Sequence, residues 1–174
     1  MPTRRLLVAG AVGAGKSTFV RTIGEMGSIS TEEIATDETA ALKPTTTVAL
    51  DFSRVTLPSG TLHVYGTPGQ DRFSFMWELL LERSHLLLVL VAAHRPADWV
   101  QSQQLIAFLQ QSRLPLAIGL THIDCPEALP AAAVLSALGY PIGQSPPCVT
   151  VNPLDRASVL AALAIVTEGI RHGC

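Results

Sequence analysis

Short apolar runs alternate along the chain with stretches whose apolar residues recur at helical spacing, the pattern of a parallel sheet with crossover helices. Arg4 to Ala9 predicts a first strand, followed by a glycine-rich loop and a helix from about Lys16 to Met26. Gly27 to Pro44 is polar, rich in Thr and Glu, and reads as an exposed loop. Val48 to Leu57 and Thr61 to Tyr65 predict two strands, antiparallel because only Pro58-Ser59-Gly60 joins them. Leu86 to Ala92 holds no polar residue and predicts a strand buried on both faces. Ala97 to Ser112 predicts a helix burying Trp99, Leu105, Phe108 and Leu109. Leu116 to Leu120 predicts a strand, Pro130 to Leu138 a short Ala-rich helix, Pro147 to Val151 the last strand and Asp155 to Arg171 the closing helix. The expectation is an α/β protein with a six-stranded, mostly parallel sheet and one antiparallel edge strand. No repeat or linker interrupts it, so residues 1–174 read as one domain.

Composition narrows the possible partners. The chain is 48% hydrophobic and 15% charged with a net charge of −2, and it has no basic run. That gives no electrostatic basis for nucleic acid or an anionic membrane as the main partner. Cys125, Cys148 and Cys174 lack metal-ligand spacing and read as reduced thiols of a cytoplasmic protein. Arg4-Arg5 ahead of Leu6 to Ala11 imitates a signal peptide, but cleavage there would destroy the glycine-rich loop. No run approaches the roughly 20 apolar residues of a membrane span, and Cys174, as the last residue, is not placed for prenylation. The expectation is therefore no intrinsic membrane anchor, and membrane recruitment only through a partner.

The chemistry begins at Gly10-Ala11-Val12-Gly13-Ala14-Gly15-Lys16-Ser17, which fits G-x-x-x-x-G-K-S/T between a strand and a helix. Gly10, Gly13 and Gly15, with Ala14 between, let the backbone curl so that N–H groups face a phosphate, and the following helix presents its positive end through Ser17 and Thr18. Lys16 is expected to bridge the β- and γ-phosphates and Ser17 to supply an oxygen to Mg²⁺. Lysine is scarce here, Lys16 and Lys43 against ten arginines, and one occupies the slot where a compact ammonium is needed.

Three further segments carry a resemblance: Lys43-Pro44-Thr45-Thr46-Thr47 running into Val48 to Phe52, Gly66-Thr67-Pro68-Gly69-Gln70-Asp71-Arg72-Phe73, and Phe75-Met76-Trp77. With the glycine-rich loop, they resemble, in order and over essentially the whole chain, the bacterial Ras-like small GTPases of the MglA and conservon group. The resemblance implies a three-layer α/β/α Ras-like fold, GTP and GDP as ligands with Mg²⁺, and a molecular switch with slow hydrolysis stimulated by a partner. It implies that the Gly69 amide meets the γ-phosphate and that Gln70 orients the attacking water. One of Thr45, Thr46 and Thr47 would be the switch threonine on Mg²⁺, with Thr47 favoured by its distance from Gly66 in the family's shorter hairpins; the run could equally be the start of an edge strand. Thr121-His122-Ile123-Asp124 falls where the family has Asn/Thr-Lys-x-Asp. Asp124 would accept guanine N1–H and N2–H, a pair adenine does not offer, or else cap a following helix. His122 replaces the lysine whose stem packs on the base. Val149 to Asn152 fills the place of the last guanine loop, where a backbone N–H at Asn152 would meet O6. The implied partners are a roadblock-type (dynein light-chain-like) regulator at the switches and a nucleotide-dependent effector.

The chain also departs from the pattern. Gly66 stands where the family usually has a Mg²⁺-ordering aspartate, and of the six aspartates Asp51, on the neighbouring strand, is best placed to act instead. That loss implies weaker Mg²⁺ binding and slow turnover. Competing readings are a non-hydrolysing GTP-binding scaffold and a small-molecule kinase. A kinase needs an Arg-rich lid, and only Arg95 and Arg113 lie between Ala92 and Thr121. Phe73, Phe75 and Trp77 either join the core or leave one or two rings exposed as an anchor for a partner.

Overall fold

A computed structural model describes residues 2–30, 49–67 and 74–169. Strand β1 (Thr3–Gly10) runs into the glycine-rich loop and helix α1 (Lys16–Thr22). Strands β2 (Glu25–Ser30), β3 (Ala49–Leu57) and β4 (Gly60–Gly66) follow, then α2 (Ser74–Arg83) and β5 (Leu86–Ala92). A 3₁₀ turn (Pro96–Asp98) leads into α3 (Trp99–Gln110), followed by β6 (Leu116–Thr121), α4 (Ala131–Ala137), β7 (Cys148–Thr150) and α5 (Arg156–Gly169).

The strands form one sheet in the order β2-β3-β4-β1-β5-β6-β7. The six expected strands are all there, with β3 antiparallel to β4 and the others parallel. Alternation along β1 feeds two cores. Leu6 and Val8 pack with Phe19 and Val20 of α1, with Ile23 just past its end, and with Val159, Leu163 and Val166 of α5. Leu7 and Ala9 face the opposite layer with Trp77 and Leu80 of α2, Trp99, Ile106 and Leu109 of α3, and Val134 of α4. Every residue of β5 is buried, as its unbroken apolar run requires.

The sheet differs from expectation at its β3 edge, where a seventh strand is added. Helix α1 ends at Thr22 instead of near Met26, and Glu25 to Ser30 pair antiparallel with β3 from Glu25↔Arg54 to Ser30↔Ala49. Gly24 explains the change. Glycine is the weakest ordinary residue in a helix, and a Cβ there would stand 3.1 Å from the Arg54 carbonyl as the chain turns onto β3. Two aromatic assignments also change. Ile106 takes the buried position on α3, while Phe108 is 40% exposed. Trp77 is buried and meets Phe108 edge-on at 6.1 Å, so it belongs to the core. Phe73 lies outside the described residues, as do Thr45, Thr46, Thr47, Gly69, Gln70 and Cys174. Among the described residues no helix is long and apolar enough to cross a membrane.

Candidate functional site

Strand order reverses at β1, whose neighbours are β4 and β5. In open α/β sheets the crevice at the carboxyl ends of such strands is where ligands bind. The loop leaving β1 there has Gly13 at φ +81 and Gly15 at φ +100, left-handed conformations that favour glycine. Gly10 is required for a different reason: a Cβ there would lie 2.5 Å from the Leu90 carbonyl of β5. Gly15 is the N-cap of α1 with no side-chain cap, so the helix start is left to its backbone groups. Ser17 is exposed at the same turn and Thr18 half-buried.

Lys16 is 7% exposed and its Nζ donates to the carbonyls of Gly10 and Ala11. Among the described residues no carboxylate pairs with it, and burial lowers its pKa from 10.5 to about 8. A buried ammonium held only by loop carbonyls, at an uncapped helix start, fits a phosphate group. Bound phosphates favour the ammonium, so binding above pH 8 must take up a proton. Nucleotide affinity is therefore expected to be flat below about pH 8 and to fall about tenfold per pH unit above it. Isothermal titration in buffers of different ionisation enthalpy measures that uptake; an affinity independent of pH up to 9.5 would contradict it.

The base-side residues reach the same place. Thr121, fully buried at the end of β6, donates its hydroxyl to the Ala14 carbonyl at 2.8 Å and ties this loop to the phosphate loop. His122 Nδ1 lies 3.0 Å from the Thr121 hydroxyl oxygen, which can accept from it while its proton serves Ala14. His122 has φ +57 and stacks on His94, ring centroids 4.5 Å apart. Its pKa is lowered by burial first, then by His94 and Arg95, against the opposing pull of Asp124. Asp124 is exposed, with no hydrogen bond among the described residues. It does not cap a helix, because the next one starts at Ala131 with Pro130 as N-cap.

The segment expected to meet guanine O6 lies over α1: Thr22 Oγ1 donates to the Pro153 carbonyl at 2.6 Å, and Pro153 packs on Gly15. Its amides are engaged within the chain. Asn152 N donates to Ser158 Oγ at 2.9 Å, Val151 N to the Leu120 carbonyl, and Leu154 N to Asn152 Oδ1. The donor expected at Asn152 is thus turned to Ser158 in this conformation.

Asp51 sits directly across from Gly66, and a Cβ on Gly66 would lie 3.4 Å from the Asp51 Cβ and 3.2 Å from Val20 of α1. Its carboxylate faces Arg21 at 3.9 Å. Mg²⁺ binds through few protein ligands and keeps several waters; of its expected ligands, Ser17 and Asp51 fall among the described residues. The ion would offset charge on the phosphates. No group of three or more His, Cys, Asp or Glu that could hold a metal is found among the described residues.

Sequence reasoning passed over Arg95, counted only as too few arginines for a lid. Its guanidinium covers Gly13, with Nη1 2.6 Å from where a Cβ on Gly13 would stand. The available signal was its place three residues after β5, a strand flanking the reversal point.

Sheet order, helical layers and the loop at the end of β1 define a Ras-like P-loop fold. The Arl6 (BBS3) small GTPase of Trypanosoma brucei, solved with the nucleotide analogue GppNp, shares it, with a TM-score of 0.70 over 99% of this chain and 100% of that one at 16% identity. Residues 26–136 match the model of the family described as conserved hypothetical ATP binding protein, and the chain belongs to that family. The uncharacterized protein MJ1339 of Methanocaldococcus jannaschii is 27% identical over 121 residues, 69% of this chain and 70% of that protein. The family match begins after the phosphate loop, so the loop geometry is a separate observation.

Proposed function

We propose that the chain is a guanine-nucleotide switch of the small GTPase type, acting in the manner of the MglA and conservon GTPases. The observation carrying the base assignment is the Thr121–Ala14 hydrogen bond, which fixes the Thr121-His122-Ile123-Asp124 turn to the phosphate loop. A carboxylate at Asp124 then suits guanine, whose N1–H and N2–H both donate; adenine offers its ring nitrogen as an acceptor there, and a carboxylate repels it. The family's description speaks of ATP, and adenine is the competitor that binding experiments must set against guanine. The fold shared with a GppNp-bound small GTPase supports the same class of ligand.

In this reading Lys16 and the loop amides hold the β- and γ-phosphates, Thr47 and Gly69 respond to the γ-phosphate, and Gln70 orients water. Cleavage is slow, because Gly66 carries no carboxylate and Asp51 is drawn toward Arg21. A roadblock-type regulator at the switches would supply what the site lacks. The same two features favour a second reading, a GTP-binding scaffold that does not hydrolyse. Single-turnover assays with Mg²⁺ separate them. The switch reading expects slow GTP cleavage that Gln70→Leu lowers about tenfold or more; tight binding with no cleavage over many hours would establish the scaffold.

A further inference from the structure

The turn after β5 supplies a charged side chain that the nucleotide pattern does not assign. His94 and Arg95 leave the end of that strand beside the phosphate loop, where the sheet order reverses. Arg95 is not simply solvated. Its Nε is held by Asp98 Oδ2 at 3.1 Å, and the far end of its guanidinium lies over Gly13, filling the space a side chain at Gly13 would need. Asp98 is the N-cap residue of α3 but makes no side-chain cap bond; its carboxylate serves Arg95 instead. Arg95 is also close enough to His122 to help lower that imidazole's pKa.

His122 occupies the position where a lysine stem would pack along the base. Burial, His94 and Arg95 all oppose its protonation, against the pull of Asp124. Its ring is engaged by Thr121 and stacked on His94. The base loop therefore places no permanent charge at that position, and Arg95 brings one from the β5 side to the junction of the two loops. The buried Nδ1 of His94, next to Arg95, has no hydrogen-bond partner among the described residues.

We infer that Arg95 is a nucleotide-binding residue, its guanidinium held by Asp98 above Gly13 to pack on the bound guanine nucleotide and supply the cation missing at His122. This rests on the guanine-nucleotide reading above. A guanidinium suits the place, since it is planar, permanently charged and stacks on aromatic faces.

The test is titration of a fluorescent GDP analogue into wild type, Arg95→Ala, His122→Lys and the double variant Arg95→Ala/His122→Lys, with a thermal melt of each nucleotide-free protein. Arg95→Ala is expected to weaken binding about 20-fold and to leave the nucleotide-free melting temperature nearly unchanged, since its ion pair with Asp98 is partly exposed. The double variant is expected to regain most of the lost affinity, because a lysine at 122 restores the cation from the other loop. Arg95→Ala binding within about twofold of wild type, or a loss that His122→Lys does not recover, would overturn the role of Arg95 while leaving the guanine reading standing. Wild type that fails to bind the GDP analogue would overturn the guanine reading itself, and this role with it.

Discussion

Lys16→Met is expected to weaken nucleotide binding severely while raising the thermal stability of the nucleotide-free protein. The two effects share one cause. The Lys16 ammonium is buried, with only the Gly10 and Ala11 carbonyls as partners among the described residues, and its pKa is lowered to about 8. Its folded-state pKa lies below the unfolded value, so its charge opposes folding at pH 7; the penalty is complete below pH 8 and is relieved as pH rises toward 10.5. Methionine keeps the length of the stem and removes the charge, so the empty protein should melt higher at pH 7, with the advantage shrinking above pH 8. Bound phosphates reverse the balance, because the ammonium then meets an anion in a buried site. Losing one partner of such a pair costs about 2–5 kcal/mol, or roughly thirty- to several-thousand-fold in affinity. Differential scanning calorimetry with and without GDP reads both signs. A variant that binds normally, or that melts lower when empty, would contradict this account of Lys16.

Gly10→Ala is expected to cost about 2–4 kcal/mol of stability. The added Cβ would meet the Leu90 carbonyl at 2.5 Å and the Ala14 Cβ at 3.3 Å. The nearest obstacle is main chain of a central strand, so relief requires β1 and β5 to part at the point where they position the phosphate loop. For a domain of this size that corresponds to a fall in melting temperature of roughly 5–15 °C. Gly169→Ala is the matched control: a Cβ there has nothing within 4 Å, it falls in α5, and alanine should be neutral or slightly stabilising. Equal melting temperatures for Gly10→Ala and wild type would show that β1 and β5 are less closely joined than described.

What could be read from the residues follows physical lines. An apolar run such as Leu86 to Ala92 has one stable place, a strand covered on both faces, and the sheet places it there. The Pro58-Ser59-Gly60 turn set the β3–β4 hairpin for an equally local reason. Strand β2 was not legible, because Glu25-Met26-Gly27-Ser28-Ile29-Ser30 carries no strong alternation and acquires its conformation from β3, a strand distant in sequence. Trp77 and Phe108 are likewise decided by contact with each other across two helices. At the site, the glycines and Lys16 announced themselves through backbone and charge requirements. Asn152 did not, since its N–H is captured by Ser158 of the next helix. Arg95 gains its meaning only where the turn after β5 passes over Gly13.

The central claim is that phosphate loop and base loop together hold a guanine nucleotide. Competition between GDP and ADP for the wild-type protein, measured as displacement of a fluorescent GDP analogue, tests it most directly. With Asp124 accepting two donors that adenine lacks, GDP should displace the probe at least about a hundredfold more effectively than ADP. Asp124→Ala should remove most of that margin. ADP displacing the probe as well as GDP, or better, would contradict the claim.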